Sequence, residues 1–310
     1  MPRRKPRGRP LDGWLIIDKP PGLTSTDVVN RVRRILHERS VGHLGTLDPL
    51  ATGVLPLVIG TLTRLAQFYT ASEKTYEGVI RFGFSTDTYD AEGEPTSPAS
   101  PVKVSLEGVR ALAAPFRGVI QQMPPPFSAK KIHGVPAYKL ARKQKEVTLQ
   151  PVQVEVKEFE ILSVDGDRAT FRARVASGTY MRSVAHDMGQ QLGCGAHLES
   201  LRRTAVGEFA LADAHTLEAL EAAVRNGSTE EIFVHPRKIL PELPCVTANE
   251  EMAGRIRSGQ TVNLPEFTRA RQVKVFQGQR ELIAIATRVA GTLFHAGIVL
   301  AGSQPVPTVK

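Results

Sequence analysis

The sequence predicts an α+β fold, on three observations. Strand and helix patterns alternate irregularly rather than in a βαβ rhythm. Neighbouring strand runs are joined by tight turns and read as hairpins, as at Asp165-Gly166-Asp167. After Pro241-Glu242-Leu243-Pro244 the chain carries only short β-type runs, the pattern of a small β-barrel-like module over 241–310.

The elements follow in order. Trp14-Leu15-Ile16-Ile17-Asp18 reads as a short buried strand and Lys19-Pro20-Pro21-Gly22 as the loop after it. Val28, Val29, Val32, Ile35 and Leu36 recur at helical spacing, with Thr24 or Ser25 as the cap. Val54 to Ile59 is a second buried strand, and Leu62, Leu65, Ala66 and Tyr69 give a short helix. Residues 74–83 alternate, so Tyr76, Gly78, Ile80 and Phe82 share one strand face. Thr86 to Pro95 is a polar loop. Its Asp87 and Asp90 lack calcium-loop spacing and read as turn residues. A helix is expected near 105–114. Met123-Pro124-Pro125-Pro126 ends regular structure and opens a long segment to Val147. Strands follow near 152–163 and 168–176. Met181, Val184, Met188 and Leu192 form the core stripe of a helix that stops at Gly193. A short helix is expected near 216–225. The final strands run Val273 to Phe276, Leu282 to Ala286 and Phe294 to Leu300.

Net charge is +9 and the pI about 9.7, which points to a polyanionic partner. The distribution sharpens this. Residues 121–145 hold Lys130, Lys131, Lys139, Arg142, Lys143 and Lys145 without one acid, with Phe127 and Tyr138 among them. Cations with interleaved aromatics suit a surface that grips phosphates and stacks on bases. Met1–Pro10 is rich in Arg and Pro, and residues 1–12 are expected to form a disordered basic tail. No apolar h-region follows it, so it is not a secretory signal, and no apolar run suits a membrane helix. Cys194 and Cys245 form no CxxC, which implies neither zinc nor a disulfide framework and fits a reducing cytosol.

One segment holds a lone carboxylate among three glycines: Gly42-His43-Leu44-Gly45-Thr46-Leu47-Asp48-Pro49-Leu50-Ala51-Thr52-Gly53. Pro49 keeps Asp48 out of the α region, on an extended turn. Lys74-Thr75-Tyr76 puts an aromatic hydroxyl on a strand. Gly178-Thr179-Tyr180-Met181-Arg182 sets an aromatic and a guanidinium two residues apart; if the chain is extended there, both point the same way. Gly193-Cys194-Gly195-Ala196-His197-Leu198-Glu199-Ser200-Leu201-Arg202-Arg203-Thr204 is glycine-rich and basic.

With Leu15-Ile16-Ile17-Asp18-Lys19-Pro20, these segments make five ordered matches. Together they resemble TruB, the family of bacterial tRNA pseudouridine synthases that modify the uridine of the TΨC loop, tRNA position 55. Pro49-Leu50-Ala51-Thr52-Gly53 favours this branch over the guide-RNA-dependent one. Leu44 and Thr46 stand where other members often carry Thr and Ala, and Arg64 where some carry Lys. The resemblance implies the pseudouridine synthase fold, a mixed, largely antiparallel sheet flanked by helices and loops. It implies a catalytic domain over 13–240, with 124–150 as an RNA-binding insertion, and a PUA domain over 241–310 that binds the acceptor end.

The resemblance also implies the chemistry. The N1–C1′ bond of uridine breaks, the base turns, and C5 joins C1′, with no cofactor and no metal. Asp48 is implied as the catalytic carboxylate. A carboxylate suits attack on C1′, addition to the base, or removal of a sugar proton. Tyr76 would pack on the flipped uracil, Arg182 would pair with Asp48, and Tyr180 would help position the pair or the base. His43 would fill the gap left in the RNA stack. Lys19, Arg64, Leu201, Lys130, Lys131 and Arg142 complete the expected substrate-binding set. The expected partner is tRNA, through its T-arm and acceptor stem, without a membrane or an obligatory protein partner, for a cytoplasmic monomer. The competing reading is an RNA-binding module that helps tRNA fold, in which catalysis is secondary. An Asp-nucleophile hydrolase is disfavoured, because no Asp-x-Asp pair or magnesium constellation accompanies Asp48.

Overall fold

A computed structural model describes residues 11–96, 98–128, 131–132, 135–136, 149–266 and 268–300, with only the backbone of 131–132 and 135–136. Residues 1–10 of the expected tail and most of the basic segment therefore lie outside the described residues; the tail does not extend to residue 12, because Leu11 packs against the first core and Asp12 accepts from the Thr61 amide and hydroxyl. The described strands are β1 (Gly13–Lys19), β2 (Val41–His43), β3 (Thr52–Ile59), β4 (Lys74–Phe82), β5 (Gly118–Gln122), β6 (Lys131–Ile132), β7 (Val135–Pro136), β8 (Val152–Asp165), β9 (Arg168–Val175), β10 (Ala196–Val206), β11 (Phe209–Ala210), β12 (Cys245–Ala248), β13 (Val262–Asn263), β14 (Gln272–Gln277), β15 (Glu281–Ala290) and β16 (Leu293–Val299).

The first sheet runs β1-β3-β10-β4-β9-β8-β5, with β2 on β3 and β11 on β10. Its neighbours are antiparallel except β3 and β10, which run parallel. Gly53 sits at that parallel contact with φ 100°, and a Cβ there would lie 2.2 Å from the Arg203 carbonyl oxygen. Only glycine allows both the angle and the approach.

The continuous apolar run of β1 has a simple cause. Side chains alternate across a strand. Leu15 and Ile17 enter one core, shared with Val28, Val29 and Val32 of the helix Ser25–Ile35. Trp14 and Ile16 enter a second core, shared with Tyr69 and Phe209. β3 divides the same way: Leu55, Leu57 and Ile59 go to the first core, Val54 and Val58 to the second. By contrast β4 alternates buried with half-buried residues, the mark of a strand with one covered face.

The second core joins the two sheets. The second sheet runs β12-β14-β15-β16-β13, and its Phe276, Leu282 and Ile285, with Leu300, pack in the cluster that holds Trp14. The chain between the sheets is tied down as well. Tyr69 Oη donates to Glu208, the Leu240 amide donates to Tyr69 Oη at 2.9 Å, and the buried Lys274 ammonium donates to the carbonyls of Arg237 and Ile239.

Two helices frame the site. Ser25–Ile35 starts at Thr24, whose hydroxyl accepts from the Asp27 amide while the Asp27 carboxylate accepts from the Thr24 amide. Met181–Leu192 buries Met181, Val184, Ala185 and Met188 and closes on Gly193 at φ 81°. Leu192 departs from the expected stripe: at 44% exposed it lies beyond the core. Tyr180 and Arg182 do not lie on an extended segment either, because the helix already begins at Met181.

Gly189 is where this helix meets the start of β10. A Cβ there would fall 2.0 Å from the Ala196 nitrogen. Gly189→Ala is expected to cost about 1–3 kcal/mol through overpacking, read as a lowered thermal midpoint.

Candidate active site

Asp48 lies in an irregular loop, and an irregular loop must satisfy its backbone polar groups elsewhere. Buried side chains do this. The Lys19 ammonium donates to the carbonyls of Leu23 (2.6 Å), Pro20 (2.9 Å) and Pro49 (3.2 Å). Ser25 Oγ accepts from the Leu47 amide (2.8 Å) and donates to the Leu47 carbonyl (3.1 Å). The guanidinium of Arg203, 1% exposed, donates to the carbonyls of Val54 (2.8 Å), Gly45 (3.0 Å) and Thr46 (3.3 Å). Burial draws Lys19 down to about 8, against the nearby charges of Glu92 and Asp48. The loop is thus held from both sides by buried cations.

Arg182 reaches Asp48 from the first turn of its helix. Its Nε lies 3.0 Å from Asp48 Oδ2, in an ion pair that lacks the geometry of a hydrogen bond. Its Nη1 lies 3.5 Å from Asp90 Oδ2 and donates to the Thr88 carbonyl at 3.1 Å. Its Nη2 donates to the Phe127 carbonyl at 3.1 Å. One guanidinium therefore stands between two carboxylates. The Arg182 and Asp90 side chains are 6% and 5% exposed, whereas that of Asp48 is 39% exposed. Burial pushes the Asp48 carboxyl above the ordinary range; Arg182 opposes this, Asp90 adds to it, and Lys19 opposes it again.

A cavity of about 600 Å³ opens over this pair. Asp48, Arg182 and His43 line it, with Thr88, Asp90, Glu92, Phe127, Ser128 and the capped start of the helix Ser25–Ile35. His43 ends β2, and its Nδ1 is buried without a partner among the described residues. Burial, and then the Arg203 charge, hold its imidazole below its usual range, which favours the neutral ring.

The remaining expected residues fall elsewhere. Tyr180 is half-buried, and Gln122 clamps its backbone by accepting from its amide (2.8 Å) and donating to its carbonyl (3.0 Å). Burial raises its phenol, with smaller effects from Arg182 and Asp48. Tyr76 is 9% exposed and packs in the core cluster with Leu47, outside the cavity lining. Lys19 lies beneath the loop rather than in the cleft. Leu201 packs at the margin of the first core. Arg64 is removed from the site: its Nη1 donates to the Val299 carbonyl, at the seam between the sheets. Lys130 and Arg142 lie outside the described residues, and Lys131 is described only as backbone in β6.

Asp90 corrects the reading of the 86–95 loop as a plain turn. Its Oδ1 does make turn contacts, accepting from Thr88 Oγ1 (2.6 Å) and the Glu92 amide (3.1 Å), yet its other oxygen faces Arg182. Glu92 is a third acid at the cleft, raised by burial and by Asp90 and Asp48.

Known proteins decide the family. Residues 33–181 match the TruB family pseudouridylate synthase N-terminal domain, and 182–241 match the tRNA pseudouridylate synthase B C-terminal domain. The chain belongs to the TruB family of pseudouridine synthases. It is 49% identical over 293 residues to tRNA pseudouridine synthase B of Solibacter usitatus (strain Ellin6076), covering 94% of this chain and 100% of that one. The enzyme of the same name from Aquifex aeolicus (strain VF5) is 39% identical over 285 residues, covering 91% and 98%. Among solved structures, a chain of the archaeal box H/ACA sRNP Nop10-Cbf5 complex superposes with a TM-score of 0.66 at 26% identity, over 96% of this chain and 89% of its own. The fold is the pseudouridine synthase fold, and the TruB chain described here is an isomerase.

Proposed function

We propose that this enzyme converts uridine to pseudouridine at position 55 in the TΨC loop of tRNA, with Asp48 as the catalytic carboxylate. The observation that carries this reading is a single half-exposed carboxylate paired with a buried arginine on the wall of a cavity of about 600 Å³. The relatives' shared name, tRNA pseudouridine synthase B, supports tRNA as the substrate. The reaction is an isomerisation. N1–C1′ breaks, C5–C1′ forms, and the proton leaving C5 is balanced by one gained at N1. Each of the three roles open to Asp48 needs it ionised, and Arg182 with Lys19 favours that form. The reacting base must leave the stack to reach the cleft, and the neutral ring of His43 suits the space it vacates. Tyr180, beside Arg182, would hold the base. Tyr76, in the core cluster that also holds Leu47, would pack on the flipped uracil. The sheet after residue 241 would act as the PUA domain on the acceptor end, set at a fixed distance by the shared core.

The test is to map pseudouridine in tRNA incubated with and without the protein. Modification confined to position 55 supports the reading; modification elsewhere, or none, defeats it. The basic segment makes a separate prediction. Neutralising Lys130, Lys131, Arg142 and Lys143 is expected to weaken tRNA binding and flatten its salt dependence. Each lost phosphate contact lowers the slope of log K against log salt by roughly 0.7–0.9. An unchanged slope would show that this segment does not track the backbone.

A further inference from the structure

One pair of side chains beside the cleft has no part in the chemistry above. Tyr89 stands between Thr88, whose carbonyl accepts from Arg182, and Asp90, whose carboxylate faces the same guanidinium. Its φ is 65°, a left-handed conformation that is costly for a tyrosine and persists only where the surroundings enforce it. His186 lies four residues after Arg182 on the helix Met181–Leu192, one turn on and on the same face. The rings of Tyr89 and His186 stack face to face, with centroids 3.7 Å apart and planes 11° from parallel.

The rest of the turn is pinned on its other side. The Leu198 amide of β10 donates to the Tyr89 carbonyl at 3.0 Å, and the Ala91 amide donates to the Leu198 carbonyl at 3.0 Å. These bonds hold the turn to the sheet. Towards the helix, Arg182 itself meets the turn at Thr88 and Asp90, and the Tyr89–His186 stack adds a contact that does not pass through its guanidinium. His186 Nδ1 is buried with no hydrogen-bond partner among the described residues, and burial holds the imidazole below its usual range. Its ring contact among the described residues is the stack on Tyr89.

We propose that the Tyr89–His186 stack is the strut that sets Arg182 against Asp48, by clipping the 88–90 turn to the arginine's own helix. Tyr89 and His186 are positioning residues, and neither lines the cavity. The inference rests on Asp48 being the catalytic carboxylate.

The test compares Tyr89→Gly, His186→Ala, the double variant, His186→Phe and Asp48→Asn. Glycine keeps the left-handed turn without strain and removes only the ring. Single-turnover pseudouridine formation at saturating enzyme, tRNA affinity and the pH–rate profile are measured for each. Tyr89→Gly and His186→Ala are each expected to slow the reaction about three- to tenfold, the worth of one aromatic pair, with tRNA affinity unchanged. The double variant is expected to be no slower than either single one. His186→Phe, which keeps a ring, restores the rate. The acid limb reports Asp48, which faces Arg182 and Lys19 as cations and Asp90 and Glu92 as acids. A looser Arg182 moves that limb to higher pH, a change that a mere loss of folded protein does not produce. With Asp48→Asn inactive, normal rates in both single variants, additive losses, or an unmoved acid limb would overturn the strut alone. Full activity in Asp48→Asn would overturn the assignment of Asp48 and the strut with it.

Discussion

Asp48→Asn is expected to remove pseudouridine formation, by about 10⁴-fold or to background, while tRNA affinity changes by less than about threefold. The amide keeps the shape of the side chain but cannot carry the charge that attack, addition or proton removal each demand. The local structure is expected to survive the change. The loop around Asp48 is held by Lys19, Ser25 and Arg203 through backbone groups, none of which involves its carboxylate. Arg182 also keeps Asp90 at 3.5 Å and the carbonyls of Thr88 and Phe127. A loss of rate with binding intact therefore reads as a loss of chemistry. A variant that binds and still forms product at a substantial fraction of the parent rate would remove Asp48 from the mechanism. A protein that only helps tRNA fold would be indifferent to this substitution, so the same measurement separates the two functional classes.

What the sequence revealed about this site was what depends on local chemistry. The break at Pro49 and the end of the helix at Gly193 are written in neighbouring residues and stand where the pattern put them, and of the two caps it offered, Thr24 and Ser25, Thr24 is the one used. The start of that helix was harder to read. Tyr180 caps it without a side-chain bond, so no Ser, Thr, Asp or Asn marks the place, and the pattern that puts Met181 in the helix stripe leaves open whether Tyr180 and Arg182 share an extended segment. Asp90 was legible only as a turn acid, because the partner that changes its meaning is more than ninety residues away. Arg203 shows the same limit from the other side. Within Leu201-Arg202-Arg203 it looks like one more surface cation for RNA, yet it is buried and its donors are taken by three carbonyls. Composition counts charges without saying which face solvent. The second sheet was legible as strands, but its shared core with Trp14 and Phe209 was not, since an apolar strand residue does not name the core it enters.

Arg182→Met is expected to lower the single-turnover rate by about a hundredfold or more, with a modest change in tRNA affinity, because one cation among many is lost. The larger effect follows from where the guanidinium stands. It is the cation between Asp48 and Asp90, with Glu92 close by, so its removal leaves three acids facing one another across the cleft. Like charges so placed hold one another protonated, and the desolvated Asp48 rises further above the ordinary range. Bound RNA excludes water and brings phosphates, which adds to the rise. The sign of the pH effect is fixed by this. The ionised form is the active one, so activity is lost as pH falls through the Asp48 pKa, and a raised pKa moves that loss to higher pH. Activity in Arg182→Met should therefore recover in part as pH is increased, with its acid limb at higher pH than that of the parent enzyme. Arg182→Lys is expected to recover only part of the rate. An ammonium restores the charge, but it cannot at once meet Asp48 with one nitrogen and donate to the carbonyls of Thr88 and Phe127 with two others. Circular dichroism and the thermal midpoint of both variants check that the unpaired carbonyls have not unfolded the site. If Arg182→Met binds tRNA far more weakly while its rate at saturating enzyme and its acid limb stay where they were, Arg182 is a phosphate contact, and its pairing with Asp48 has no part in catalysis.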